Sequence, residues 1–245
     1  SDINGVLYVR IDKNRKLPVT TFIRALGIGS NEQIRELFGE DERLSATIDA
    51  DDTKTVEDAL IEVYKKLRPS EPVTVEGAKS YLEQLFFDAH RYDISRVGRY
   101  KYNKKLAIGA RLRGAVLSRP VIDPMTGEIL ADADTTVSRE LAEEIERKGV
   151  LSAYINIMDN EGNVSEVKVL SNGMVNLSDF TDFTAEELEE LDSLGINEKV
   201  SFAALKELLE TADSKEELRE AILEHADDLI PKHITLDDIF ATVSY

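Results

Sequence analysis

Residues Leu85 to Leu106 read LFFDAHRYDISRVGRYKYNKKL. An apolar knot, Leu85-Phe86-Phe87, closes a stretch of helical periodicity. Six cations follow, Arg91, Arg96, Arg99, Lys101, Lys104 and Lys105, interleaved with Tyr92, Tyr100 and Tyr102. From Arg91 to Arg119 there are nine Lys/Arg against one acid, Asp93, so this window carries +8 in a chain of −18. Residues 1–90 carry −5 and residues 120–245 carry −21. Cations at this density suit a polyanion, because Lys and Arg neutralise phosphates and tyrosines stack on bases or sugars. They equally suit a solvated basic loop that pairs with acids elsewhere in the chain. Charge alone leaves both readings open.

Upstream of this stretch the elements are short. Val6 to Ile11 favours a strand, and Asp12 to Lys16 is a charged turn. Pro18 sits where a helix can start, with Val19 to Leu26 following and Gly27 as its stop. Ser30 with Gln33 makes a capping box for a helix through Phe38. Gly39 to Thr53 is acidic and reads as a loop. Thr55 and Asp58 open a helix over Val56–Leu67, with Ala59, Leu60, Val63, Tyr64 and Leu67 on one face. Arg68-Pro69-Ser70-Glu71-Pro72 is a rigid loop, because each proline fixes its own φ and restricts the residue before it. Thr74 caps the next helix, roughly Val75 to Asp88.

Downstream the texture changes. Leu106 to Leu117 reads as a strand or a mobile connection. A strand, a turn at Asp123 to Gly127 and a second strand fill 120–135. Ser138, Leu141, Ile145 and Val150 mark a helix ending at Gly149. Leu151–Met158 and Val164–Leu170 are strands about the turn Asp159 to Asn163, and Asn172-Gly173 is a second hairpin signal. Helices open at Thr184, Ser201, Ser214 and Thr235. The elements predict an α+β chain. Residues 1–105 hold 18 Lys/Arg and 18 Asp/Glu, whereas 106–245 hold 12 and 30. That shift predicts a domain boundary near Leu106, with a separate acidic segment over 106–225.

With 42% hydrophobic and 32% charged residues, the composition is that of a soluble globular protein. No apolar run approaches the ~20 residues of a membrane helix, so no membrane partner is expected. Cysteine is absent, which excludes disulfides and thiolate metal sites. His90, His225 and His233 are too scattered for a metal site. Asp159 to Asn163 hints at a calcium loop, but Leu170 stands where the closing glutamate belongs, so a plain turn is the better reading. Neither G-x-x-x-x-G-K-[ST] nor G-x-S-x-G occurs, and no catalytic constellation emerges. Tyr245 ends an apolar helical pattern without a cap, so the chain reads as a piece of something longer.

Three runs, in order, resemble the lobe of the β subunit of bacterial DNA-directed RNA polymerase. They are Val9 to Pro18 (VRIDKNRKLP), Leu67 to Glu76 (LRPSEPVTVE) and the run from Phe86 to Leu106 that contains RYDIS and VGR. The resemblance implies a mixed helix and strand lobe built from residues 1–105 and 226–245. It implies a lineage-specific insertion at 106–225, whose opening, Pro120 to Ala131, resembles clostridial and bacillus-like subunits. The lobe is one wall of the DNA cleft, so the chain is expected to contact downstream and non-template DNA and to be non-catalytic by itself. No cofactor is expected in this chain; the Mg²⁺ of the enzyme belongs to another subunit. Its implied partners are the β′, α and σ subunits and promoter and downstream DNA, in the cytoplasm at the nucleoid. Arg68, Pro69, Ser70, Glu71 and Pro72 match the gate loop, with Ser70 where glycine is common. Asp12 matches an acid lining a pocket for a non-template base. Lys13, Arg15, Lys16, Arg91 and Arg99 lie in motifs that face DNA, and Asn14 replaces a frequent arginine. At −21 from residue 120 onward, the insertion is expected to avoid DNA and meet protein. Without the resemblance, the reading is an acidic protein-interaction domain with a basic hinge and no nucleic-acid role.

Overall fold

The structure is a computed structural model that describes residues 1–88 and 93–245. It is α+β, with helices around four small sheets among the described residues. The chain divides into two compact units, one of Ser1–Tyr92 with Glu166–Lys168, the other of Asp93–Ser165 with Val169–Tyr245.

The first unit opens with an antiparallel hairpin, β1 (Tyr8–Asp12) and β2 (Arg15–Pro18), whose register shifts between Arg10 and Asp12. Arg15 and Lys16, expected in the turn, therefore belong to a strand. Leu17 is the buried residue that holds it, and one apolar side chain is too little for a periodicity to register. Helices α1 (Val19–Ala25), α2 (Asn31–Phe38), α3 (Glu42–Ala50), α4 (Val56–Leu67) and α5 (Val75–Phe86) follow. The Ser30 and Gln33 box forms as expected, and Thr55 and Thr74 cap α4 and α5. The acidic run expected as a loop contains α3. Asp41 caps it by accepting from the Arg43 N–H, and Leu44, Thr47 and Ile48 are buried at helical spacing. The acids around that narrow stripe are its solvated face. Helix α4 packs on α1 and α5, and α1 on α3, around Ile23, Ile48, Leu60, Val63 and Leu82.

A buried ion pair lies inside this unit. Arg24 of α1 and Asp51, just past α3, are almost fully inaccessible, with Nε to Oδ2 at 3.2 Å. Arg24 also donates to the Gly29 carbonyl at 2.7 Å and to Asn31. Asp51 accepts from the Thr20 hydroxyl at 2.8 Å and from the hydroxyl and N–H of Thr53 at 2.6 and 2.9 Å. Burial pushes the Asp51 carboxyl up, but the hydrogen bonds from Thr53, Thr20 and Thr21 together hold it below the usual carboxylate range.

In the second unit, α6 (Arg96–Leu106) and α7 (Ile108–Leu112) lead into β3 (Val116–Leu117), correcting the expectation of a strand or loose connection from 106. The hairpin β4 (Val121–Ile122) and β5 (Ile129–Ala131) comes next, then α8 (Arg139–Arg147), β6 (Ser152–Met158) and β7 (Val164–Leu170). Strands β3, β6 and β7 make a three-stranded sheet in that order. Next come β8 (Met174–Val175), α9 (Ala185–Ser193), β9 (Val200–Ser201), α10 (Phe202–Thr211), α11 (Lys215–Glu224), α12 (Ala226–Leu229) and α13 (Leu236–Val243). Strand β8 pairs with β9, not with β7, so Asn172-Gly173 is not a hairpin turn. Leu191, Val200, Phe202, Leu205 and Ile222 centre the core of the later helices.

Gly149, after α8, has φ of +79°, and an added Cβ would lie 2.9 Å from the Phe202 ring. Gly149→Ala therefore meets both backbone strain and a packed ring. A loss of about 1–3 kcal/mol is expected in urea unfolding. An unchanged midpoint would show that neither constraint matters.

The compact units part after Tyr92, whereas charge placed the boundary after Lys105. Residues 93–105 and 226–245 do pack together, through α6 and α13, but within the same unit as 106–225. Packing does not locate where an insertion entered a chain.

Candidate nucleic-acid interface

The turn end of the first hairpin, from the last residue of β1 into β2, holds four of the expected contact residues. Asp12, Lys13 and Lys16 are exposed. Asp12 accepts from the backbone N–H of Lys13 at 2.6 Å, and Arg10 donates to the Lys13 carbonyl at 3.0 Å, which fixes the turn. Lys16 lies over the Tyr8 ring, 4.3 Å from its centroid. Arg15 differs. It is half-buried, and its Nη1 donates to the Lys66 and Leu67 carbonyls at 2.5 and 2.7 Å. Those carbonyls end α4 and lack partners within the helix, so Arg15 acts as a cap from outside the helix. Three helices, α1 to α3, and 51 residues separate donor and acceptor, and no local pattern signals such a bond.

The loop Arg68 to Pro72 joins α4 to α5 and is exposed throughout. Its prolines are only part of its rigidity. Arg68 pairs with Glu71 at 2.7 Å, and the Tyr64 hydroxyl donates to Glu71 at 2.8 Å. The Arg68 guanidinium also sits 5.2 Å from the Tyr81 ring centroid, and Tyr81 meets Tyr64 edge to face. Tyr81 first, then Glu71, hold the Arg68 guanidinium above its ordinary range. Arg68, then Tyr64, hold the Glu71 carboxyl below its own. Helix-borne Tyr64 and Tyr81 thus clasp the loop from both sides. The sequence signals the prolines but not the clasp, because Tyr64 reads as a helix-face residue and Tyr81 lies on a different helix.

The basic run is the main departure from expectation. Arg91 lies outside the described residues. From Arg96 the run forms α6, capped by Ser95, which accepts from the Gly98 N–H at 3.2 Å. Arg99, Asn103 and Leu106 share its buried face, while Val97, Tyr100, Lys101, Lys104 and Lys105 are exposed. The resemblance places Arg99 in a motif that faces DNA, whereas here its side chain lies on the buried face of α6. Arg99 is 1% exposed and so faces no DNA in this structure. Its Nη1 donates to both carboxylate oxygens of Asp238, at 2.8 and 3.0 Å. Its Nε and Nη2 donate to the Pro231 and His233 carbonyls at 3.2 and 2.6 Å.

Asp238 also completes the capping box of α13, accepting from the Thr235 N–H at 3.0 Å, and accepts from Asn172 Nδ2 at 3.0 Å. The same Asn172 amide donates to Asn103 at 3.1 Å. Asp93, the one acid of the basic window, is not among the partners of Arg99. Arg99 and Asp238 are 139 residues apart, and only folding brings them together. Of the other cations, Arg96 pairs with Glu198 at 3.0 Å and Lys105 lies 5.1 Å from the Tyr245 ring. Among the described residues no three His, Asp or Glu side chains gather to hold a metal ion, and no helix is long and apolar enough to cross a membrane.

Residues 1–116 match the family described as RNA polymerase Rpb2, domain 2. All 245 residues align with the DNA-directed RNA polymerase subunit beta of Clostridium kluyveri at 48% identity. The subunits of Alkaliphilus oremlandii and Clostridioides difficile each match at 47% over the same length. The chain belongs to the RNA polymerase β-subunit family. It spans 19% of the length of these β subunits. Their similarity continues through 117–245, beyond the residues that match Rpb2 domain 2.

Proposed function

We propose that this chain forms one wall of the DNA cleft of a DNA-directed RNA polymerase, with the loop Arg68 to Pro72 as a barrier at its rim. The observation that carries the reading is 45–48% identity to β subunits over the full 245 residues. In this reading Asp12, Lys13 and Lys16 approach downstream and non-template DNA from a turn fixed by its own hydrogen bonds. Arg15 holds that turn, and Arg99 holds the second unit. The segment 106–225 is a lineage-specific insertion whose acidity directs it toward protein. The chain supplies no catalytic group. The Mg²⁺ chemistry belongs to another subunit, and the partners are β′, α and σ with promoter DNA, in the cytoplasm at the nucleoid.

A loop closed at both ends by prolines and by an Arg–Glu–Tyr clasp has little conformational entropy left to lose. It can resist passing DNA without being ordered by it. Arg68→Ala/Glu71→Ala, placed in the assembled polymerase, removes the clasp and leaves α4 and α5 intact. Bound promoter DNA is expected to dissociate several-fold faster, with nucleotide addition on a preassembled scaffold unchanged. If addition falls as much as retention, the barrier reading fails.

The second reading, a protein-interaction domain with an internally paired basic hinge, is favoured by the burial of Arg99 against Asp238. It predicts no salt-dependent DNA binding by the chain.

A further inference from the structure

The exposed cations of the first unit extend beyond the hairpin. Lys65 and Lys66 end α4, and both are exposed. The Arg15 fork ties β2 to this same helical turn, through the carbonyls of Lys66 and Leu67. Lys13 and Lys16 flank Arg15 in sequence, two residues before it and one after. These two bonds bring the hairpin end that carries Lys13 and Lys16 to the last turn of α4, which carries Lys65 and Lys66, from elements 51 residues apart. Among the described residues none of the four lysines makes an ion pair. The nearby acids are otherwise engaged: Asp12 takes the Lys13 N–H, and Glu71 is held by Arg68 and Tyr64. Glu62, one turn before Lys66, is exposed and is the acid of α4 nearest to the two lysines in sequence, since Glu57 and Asp58 lie in the first turn.

Lys16 sits over the Tyr8 ring, but none of the four has a carboxylate partner; like charges so placed repel one another, and an anion relieves that repulsion. The four side chains are exposed ammonium groups on flexible stems, which suits a row of phosphates better than a single enclosed anion. We propose that the hairpin turn and the last turn of α4 form one surface for a nucleic-acid backbone, with Lys65 and Lys66 contacting phosphates alongside Lys13 and Lys16. This rests on the DNA-cleft reading and adds two phosphate-binding residues to it. Arg15 serves the surface by committing its Nη1 to the chain's own carbonyls.

The test is binding of the 245-residue chain to duplex DNA of two unrelated sequences at about 50 and about 200 mM salt. Each phosphate left without its cation lowers the log–log salt slope by about 0.9. Lys65→Ala/Lys66→Ala is expected to lower it by about 1.8 on both sequences. The wild-type chain then loses about 12-fold more affinity than the variant over that salt range. Lys54→Ala is the control. It removes an exposed cation at the opposite end of α4, about 18 Å away along the helix axis, and is expected to leave the slope unchanged. A double variant with the wild-type slope overturns the two added residues and leaves the DNA-cleft reading standing, since the chain still binds. An equal drop with Lys54→Ala overturns the defined surface in favour of general charge. Absence of salt-dependent binding by the wild-type chain overturns both.

Discussion

Arg99→Ala is expected to lower the stability of the second unit by about 3–5 kcal/mol and to leave the salt dependence of DNA binding unchanged. Asp238 would then lie buried with its carboxylate facing an empty space, while the Pro231 and His233 carbonyls lose their donors. An uncompensated buried charge costs far more than a missing surface pair, which is worth about 0–1 kcal/mol. In thermal unfolding followed by circular dichroism, a midpoint lower by roughly 10 °C is the expected readout. Asp238→Ala should cost at least as much, because it also removes the α13 capping box and a partner of Asn172. Replacing both members by apolar residues, Arg99→Met/Asp238→Leu, should recover much of the loss, since desolvation then no longer opposes folding. A salt slope lower by about one unit with an unchanged midpoint would return Arg99 to the DNA-contacting set and overturn its structural role.

Asp51→Ala is expected to cost the first unit about 3–5 kcal/mol for the same reason, leaving Arg24 buried without its counter-charge. It carries a second signature, in acid. The folded-state carboxyl of Asp51 is held below its ordinary value. Its contribution is therefore fully present above the unfolded pKa, about 3.9, and is lost as pH falls through the lower folded-state value. Asp51→Asn, which keeps the shape and loses the charge, should unfold at a lower urea concentration near neutral pH. Its midpoint should also fall less steeply than that of the wild type below about pH 4. Parallel acid limbs for the two proteins would show that Asp51 does not couple protonation to folding.

Much of the helical framework was legible from local chemistry. Ser30 with Gln33, Thr55, Thr74, Thr184 with Glu187 and Thr235 cap helices that start where the sequence placed them. The helix Val56–Leu67 has the predicted bounds, because its cap, its apolar stripe and the following proline all act within a few residues. The strands about Asp159 to Asn163 and the hairpin at Asp123 to Gly127 follow from turn residues in the same way. Where local signals were masked by charge, the reading failed. Helix α3 was hidden among acids and α6 among cations, since each exposes a highly charged face and buries few apolar residues.

The lobe motifs were likewise legible as words in the sequence, which sufficed to place the chain among polymerase β subunits. The use of each cation was not. Charge and motif are shared by Lys13, Arg15 and Arg99, yet one is exposed, one caps a helix from a neighbouring strand, and one is sealed against Asp238. A guanidinium can leave water only where several acceptors converge on it. Those acceptors came from residues 51 and 52 positions away for Arg15, and 132, 134 and 139 positions away for Arg99. The sequence by itself determined where helices such as Val56–Leu67 begin, how the charge is divided and which family the words belong to, because these depend on neighbours within a turn or two. Only the tertiary structure decided which arginines are free to meet phosphate, because long-range packing chooses the partners that make burial of a charge possible.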